Sequence, residues 1–197
     1  MELSVGISGA SGAPYAVRLL QALDELPEVE RVHLVISTNG FTLMKQEMAI
    51  STSAQNFQIA KILGKDSAKF RFYDNQNFYS PIASGSYPTA GMIIIPCSTG
   101  SLGNIASGTS NNLLHRGAEV ALKERRKLIL VIRETPLSLI HLENCLRVTE
   151  AGGVIVPASP GFYHRPAQIS DLVDFVVARV LDQFELKHSI GKRWGKE

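Results

Sequence analysis

The sequence is short of several things, and each shortage removes a class of function. It has only two cysteines, Cys97 and Cys145, with no metal-ligand spacing between them. Structural zinc is therefore unexpected, and reduced thiols are the simplest state. No apolar run approaches the roughly 18 residues of a membrane span. The opening "MELSV" lacks the basic and apolar regions of a signal peptide, which points to the cytoplasm. The net charge is only +2, from 20 Lys and Arg against 18 Asp and Glu, too little to argue for a nucleic-acid partner. The histidines His33, His115, His141, His164 and His188 form no H-x-x-x-H or triad-like grouping, so no metal site is expected. There is no internal repeat and no low-complexity segment.

What remains is a chain of 197 residues, 45% of them apolar, enough for one compact core and too short for two comfortable ones. We expect a single domain over residues 1–197, with residues 188–197 as a C-terminal arm. The runs "LSVGI", "VHLVIS", "MIIIP", "LILVIR" and "VIVP" read as strands, most of them apolar on both faces. Helix patterns begin near Pro14, Phe41, Leu102, Asn111 and Ser138, and a last one runs from Ser170 to about Leu186. Alternation of this kind predicts a doubly wound α/β fold with a mainly parallel sheet.

In such a sheet ligands bind beyond the carboxyl ends of the strands, and the first strand-to-helix turn usually offers backbone N–H groups to an anion. "GISGASGAPY" places Gly9, Ala10, Ser11 and Gly12 there. A dinucleotide fingerprint would add an acidic residue at the end of the second strand, where "VISTNG" has Ser37 instead; a Walker loop would add a lysine that is missing. A mononucleotide such as FMN fits better. The alternative is that the glycines merely permit a tight turn and the serines cap the helix. After "MIIIP", "CSTGSL" brings Ser98, Thr99, Gly100 and Ser101 to a second helix start, more small polar residues than one cap uses.

Arg133 and Glu134 stand at the carboxyl end of "LILVIR", where neighbouring residues on a strand face opposite ways. Lys and Arg gather in "HRGAEVALKERRK", within which Arg116 and Lys123 are seven apart and share a helix face, so they either offer two cations to one phosphate or form a solvated basic face. Arg179 falls at the border of the last helix's apolar arc, where snorkelling explains it as well as function does. "YDNQNFYSPIASGSYPTAG" is the one long turn-rich stretch and a candidate functional loop.

Taken in order, "GISGASGAPY", "ASGS", "PCSTGSL", "LKERRKLILVIRETPL", "HLEN" and "PGFYHRP" resemble the flavin prenyltransferase family, often called the UbiX family, over nearly the whole chain. The resemblance implies a Rossmann-like or flavodoxin-like three-layer α/β/α sandwich. It implies a cytoplasmic homo-oligomer, a dodecamer with active sites at subunit contacts. It implies a metal-independent transfer of a dimethylallyl group from dimethylallyl phosphate to N5 and C6 of reduced FMN, in ubiquinone biosynthesis or aromatic-acid metabolism, with the prenylated FMN delivered to a UbiD-type decarboxylase. Carried over, Gly9, Ala10, Ser11, Ser37, Ser98, Thr99, Gly100, Ser101 and Arg133 contact FMN. Lys123, Tyr163 and Arg179 hold the prenyl phosphate with Arg116 close by, while Ser11, Glu134 and Lys123 form the catalytic group. Glu47 reaches a neighbouring site, and the aromatics of "NFYSPIASGS" with Trp194 border the allyl group. Where some members carry tryptophan in this loop, Phe78 stands beside Tyr79. The rival functions are a flavin-dependent carboxy-lyase and a non-catalytic FMN carrier.

Overall fold

The computed structural model describes residues 1–191, 193 and 195. Six strands, β1 (Glu2–Ile7), β2 (Arg31–Ile36), β3 (Phe70–Tyr73), β4 (Gly91–Cys97), β5 (Lys127–Ile132) and β6 (Val154–Pro157), form one sheet in the order β3-β2-β1-β4-β5-β6. Every pairing is parallel. The continuous apolar runs follow from this: β4 is buried at all seven positions and β1 at five of six, because helices cover both faces.

One layer consists of α1 (Ala13–Glu25), α2 (Thr38–Met48), the short α3 (Ala60–Leu63) and α7 (Ile169–Gln183), packed through Leu19, Leu20, Leu23, Met44, Val177 and Leu181. The other consists of α4 (Thr99–Ala106), α5 (Leu113–Lys123) and α6 (Leu139–Glu150), packed through Leu102, Leu113, Leu114 and Val148. Each fully buried Leu or Ile contributes roughly 1.5–3 kcal/mol of transfer free energy. The doubly wound three-layer expectation is therefore borne out.

One strand and one α-helix were not legible in the sequence. β3 is the edge strand "FRFY", where only Phe70 is buried and Arg71 breaks the apolar run. At the opposite edge, β6 is half-buried too, but its unbroken "VIVP" reads as strand. α3 is a single turn, too short for helical periodicity to register. The helix starts are set by local chemistry. Ser37 accepts from the Gly40 amide at 3.0 Å, Ser98 from Ser101 at 3.2 Å and Asn112 from His115 at 2.9 Å, while Pro14 sits in the first turn of α1.

At the other end of α7, Asp182 accepts from His188 Nε2 at 3.1 Å and Arg193 Nη2 at 2.7 Å, so the described part of the expected arm is tied back to the helix that precedes it. Trp194 lies outside the described residues. No helix among the described residues is long and apolar enough to cross a membrane.

Candidate active site

Strand order reverses direction at β1, whose neighbours are β2 and β4, and the crevice beyond the carboxyl ends of these strands is where an open α/β sheet receives a ligand. Three helices, α1, α2 and α4, begin there. Ser8 ties two of their turns together, donating from Oγ to the Pro96 carbonyl at 2.9 Å and accepting from the Ser98 amide at 2.7 Å. Gly9 lets α2 approach: a Cβ at this position would lie 2.5 Å from Asn39 Cβ. Gly100 faces open space, with nothing within 4 Å of where its Cβ would be.

The turns are capped as well as open. Ser37 and Ser98 spend their hydroxyl acceptors on Gly40 and Ser101, as ordinary N-caps. Helix geometry still leaves the amides of Thr99 and Gly100 without intrahelical acceptors, at the positive end of α4. The first turn is corrected in one respect. The amides of Gly12 and Ala13 already donate to Glu47 Oε2, at 2.9 and 2.7 Å, so they are not open to an anion. Within its own chain the Glu47 carboxylate, expected to reach a neighbouring site, lies on α2 against the N-terminal amides of α1 and accepts from both.

β5 ends at Ile132, so Arg133 and Glu134 leave the sheet as loop residues and diverge. Arg133 donates from Nε to the Ser11 carbonyl at 3.0 Å, and Thr99 Oγ1 donates to Glu134 Oε2 at 3.3 Å. Arg133 and Glu134 also line a cavity of about 290 Å³ with Leu137, Leu142, Cys145 and Ile155. Behind the cluster, His115 Nε2 lies 3.2 Å from Ser101 Oγ, and burial pushes its pKa down. Gly9, Ala10, Ser11, Ser37, Ser98, Thr99, Gly100, Ser101, Arg133 and Glu134 thus meet at one edge of the sheet. This is the donor set that suits FMN: backbone amides and hydroxyls for a phosphate or a ring edge, one guanidinium, and no acid at the end of β2.

Lys123 and Arg116 do not join that cluster within the chain. His115 stands in the first turn of α5, and Lys123 follows about 12 Å further along the axis, where β5 is about to start. The two cations share a face, as their spacing predicted, and that face meets the Ala83–Ser86 segment. Arg116 donates from Nε to the Ala83 carbonyl at 3.1 Å and pairs with Glu119 at 2.9 Å, while Lys123 pairs with Glu124 beside Gly85. Ser84 Oγ and Ser86 Oγ are 2.8 Å apart.

Tyr163 and Arg179 form a third group, in the opposite layer from Lys123. Tyr163 meets Phe175 of α7 edge-on, with centroids 5.9 Å apart. Arg179 comes one helical turn later, exposed and paired with Asp182 at 3.0 Å. The expected catalytic trio of Ser11, Lys123 and Glu134 is therefore split, as is the expected phosphate trio of Lys123, Tyr163 and Arg179. Phe78 and Tyr79 are exposed in the loop after β3, whose Asn75 carbonyl accepts from the first amide of α5 at 2.8 Å. Among the described residues no three His, Cys, Asp or Glu gather as a metal site.

Known proteins share this arrangement. The Flavoprotein family matches residues 1–181. Flavin prenyltransferase UbiX of Halalkalibacterium halodurans is 46% identical over 194 residues, covering 98% of this chain and 93% of that protein. The crystal structure of AnUbiX (PadA1) in complex with FMN and dimethylallyl pyrophosphate superposes with a TM-score of 0.87 at 38% identity, covering 100% of this chain and 98% of that one. A dodecameric FMN-dependent UbiX-like decarboxylase from Escherichia coli O157:H7 superposes with a TM-score of 0.88 at 45% identity over the whole of both chains. By sequence over nearly its full length and by fold, the chain belongs to the UbiX flavin prenyltransferase family.

Proposed function

We propose that the chain is a flavin prenyltransferase, joining the dimethylallyl group of dimethylallyl phosphate to N5 and C6 of reduced FMN without a metal. The observation that carries this reading is the second cationic cluster, Arg116 and Lys123 against the Ser84–Ser86 turn. A flavin carrier would need only the first cluster. A protein that must also hold an allyl phosphate needs two.

Reduced FMN, when bound, supplies the nucleophilic nitrogen and carbon. Gly9, Ala10, Ser11, Ser37, the Ser98–Ser101 turn and Arg133 hold and orient it. Lys123, Arg116, Tyr163 and Arg179 stabilise charge growing on the departing phosphate, the role of fixed cations and hydroxyl donors in other phosphate clamps. Glu134, with the Thr99 hydroxyl on one oxygen, and Ser11 move the protons released at N5 and C6.

Because Lys123 lies at the far edge of the sheet from Ser11, the complete site takes residues from more than one protomer. The homo-oligomer this requires is a dodecamer. It is supported by the exposed apolar face of α6, where Leu139, Ile140, Leu142 and Leu146 point away from the core. The two free thiols fit a reducing cytoplasm, and the prenylated FMN serves a UbiD-type decarboxylase.

The test is anaerobic incubation with reduced FMN and dimethylallyl phosphate. Phosphate release and a flavin heavier by one isoprene unit are expected, with no CO₂ from hydroxybenzoate- or cinnamate-type acids. Unmodified flavin together with CO₂ would instead establish a carboxy-lyase.

A further inference from the structure

The Ser84–Ser86 turn is held on two sides by residues outside both clusters. From one side comes Arg126. Helix α5 closes in a Schellman turn: the Arg125 amide donates to the Leu122 carbonyl at 3.1 Å and the Arg126 amide to Ala121 at 2.8 Å, with Arg125 in the left-handed region at φ 57°. The same closure that brings Lys123 and Glu124 beside Gly85 carries the Arg126 guanidinium to the backbone flanking it. Nη2 donates to the Gly85 carbonyl at 2.6 Å and Nη1 to Tyr87 at 2.7 Å.

From the other side comes Tyr87, whose hydroxyl donates to Glu2 Oε2 at 2.6 Å. That carboxylate is itself fixed. It accepts from His33 Nε2 at 2.8 Å, and His33 Nδ1 in turn meets the Tyr73 hydroxyl at 3.0 Å. Because a carboxylate only accepts, the His33 proton sits on Nε2 and Tyr73 donates to Nδ1. The anchor is a buried ring on β2, 1% exposed, and is as rigid as the sheet.

Gly85 packs against this pair: a Cβ there would meet the mobile ends of the Glu124 and Lys123 side chains, 2.6 Å from Lys123 Nζ, so the backbone of the turn lies directly beside the lysine.

We propose that Tyr87 and Arg126 are positioning residues that hold the Ser84–Ser86 turn against Lys123 and thereby set the affinity of this cluster for the phosphate of the allyl donor. The proposal rests on the prenyltransferase reading for the identity of the donor. Among the described residues of the chain, Tyr87 and Arg126 bond to the turn and to Glu2 and not to the flavin cluster, so their effect falls on the phosphate.

The experiment uses the FMN-loaded protein and variants Tyr87→Phe, Arg126→Gln and Glu2→Gln. Three quantities are measured: dissociation constants for FMN and dimethylallyl phosphate, KM and kcat for the donor, and hydrogen exchange of the 84–86 amides. Tyr87→Phe and Arg126→Gln are expected to weaken donor binding and raise KM by roughly tenfold, as loss of a hydrogen bond to a charged partner does when most of it is transmitted. They should speed exchange at 84–86 and leave kcat and FMN binding unchanged. Glu2→Gln keeps an acceptor for the Tyr87 hydroxyl and should stay close to wild type. If Arg126→Gln fails to fold, Tyr87→Phe, which removes one oxygen, decides alone. Donor affinity unchanged in Tyr87→Phe overturns the proposal, as does a wild type that binds no dimethylallyl phosphate. A wild type that binds the donor, loses affinity in Tyr87→Phe, yet prenylates nothing would uphold the positioning role and overturn the prenyltransferase reading.

Discussion

Arg133 donates its Nε proton to the carbonyl of Ser11 across 122 residues of sequence, at 3.0 Å. The bond pins the glycine turn after β1 to the loop after β5, across the end of β4. It also fixes a guanidinium at the crevice whose other N–H groups have no protein acceptor among the described residues.

Arg133→Gln should therefore weaken FMN binding by about tenfold or more, the scale of one charge-assisted hydrogen bond with some loss of order in the Ser11 turn. Arg133→Lys should recover little, because an ammonium cannot keep the Ser11 contact and a second contact in one plane. Fluorescence titration of FMN into the apoprotein measures both.

Tyr163 lies on the loop before α7 and Arg179 on the exposed face of that helix. Arg179→Ala should spare FMN affinity and lower turnover at limiting allyl phosphate by roughly 10- to 150-fold, the rate equivalent of about 1.5–3 kcal/mol. An Arg179→Ala enzyme with unchanged donor affinity would leave the residue with only its Asp182 pair.

Stability should fall with acid in two windows. Burial holds the pKa of both His33 and His115 below the ordinary value, so the unfolded chain binds protons first as pH drops. Stability is fully present above about 6.5, the unfolded histidine value, and declines as pH falls toward the depressed folded values. Hydrogen bonds from Tyr87 and His33 lower Glu2, and Arg193 and His188 lower Asp182 against the cost of burial, so their contribution is lost only further down, as pH falls below the ordinary carboxylate range. Urea unfolding of the apoprotein at pH 7.5, 6.5 and 5.5 reads the first window, and His115→Gln should flatten it.

Glu47 offers a stability test separate from chemistry. Its carboxylate caps the amides of Gly12 and Ala13, so Glu47→Ala should cost about 0.5–2 kcal/mol, in the range of lost N-caps and dipole partners. Glu47→Gln, which keeps an acceptor but no charge, should cost less. Thermal melts of the apoprotein distinguish the two.

What was legible in the sequence follows from what is local. Central strands bury both faces, so "MIIIP" and "LILVIR" declare themselves; Ser37, Ser98 and Ser138 cap where helix periodicity begins. The small-residue turns could be placed at the sheet edge because topology puts every β-to-α turn there. Glu47 on the first turn and the Glu2–His33–Tyr87 chain were invisible, since they join residues 31 to 85 apart through side chains whose direction no spacing reveals. Lys123 was grouped with Ser11 by the family resemblance, which names the residues of a site but not which protomer supplies each.

That separation yields the sharpest prediction. Ser11 and Glu134 lie at the carboxyl edge of the sheet and Lys123 near its opposite edge, in one rigid α/β/α layer system that cannot fold the two together. If both are needed at one reacting centre, they must come from different protomers. Protein carrying only Lys123→Ala and protein carrying only Glu134→Gln should then each be inactive, or nearly so, as homo-oligomers. Unfolded together and reassembled, the two should form mixed contacts in which an intact Lys123 from one protomer meets an intact Glu134 from another. With random mixing at equal amounts, and two protomers supplying the pair, about one site in four is whole, so activity should return to roughly a quarter of wild type. The measurement is anaerobic phosphate release by the mixture against each parent alone. Recovery well above the sum of the parents supports a shared site, whereas a mixture no better than that sum means that Lys123 and Glu134 serve the same chain, and that the far-edge cluster is not the phosphate half of the active site.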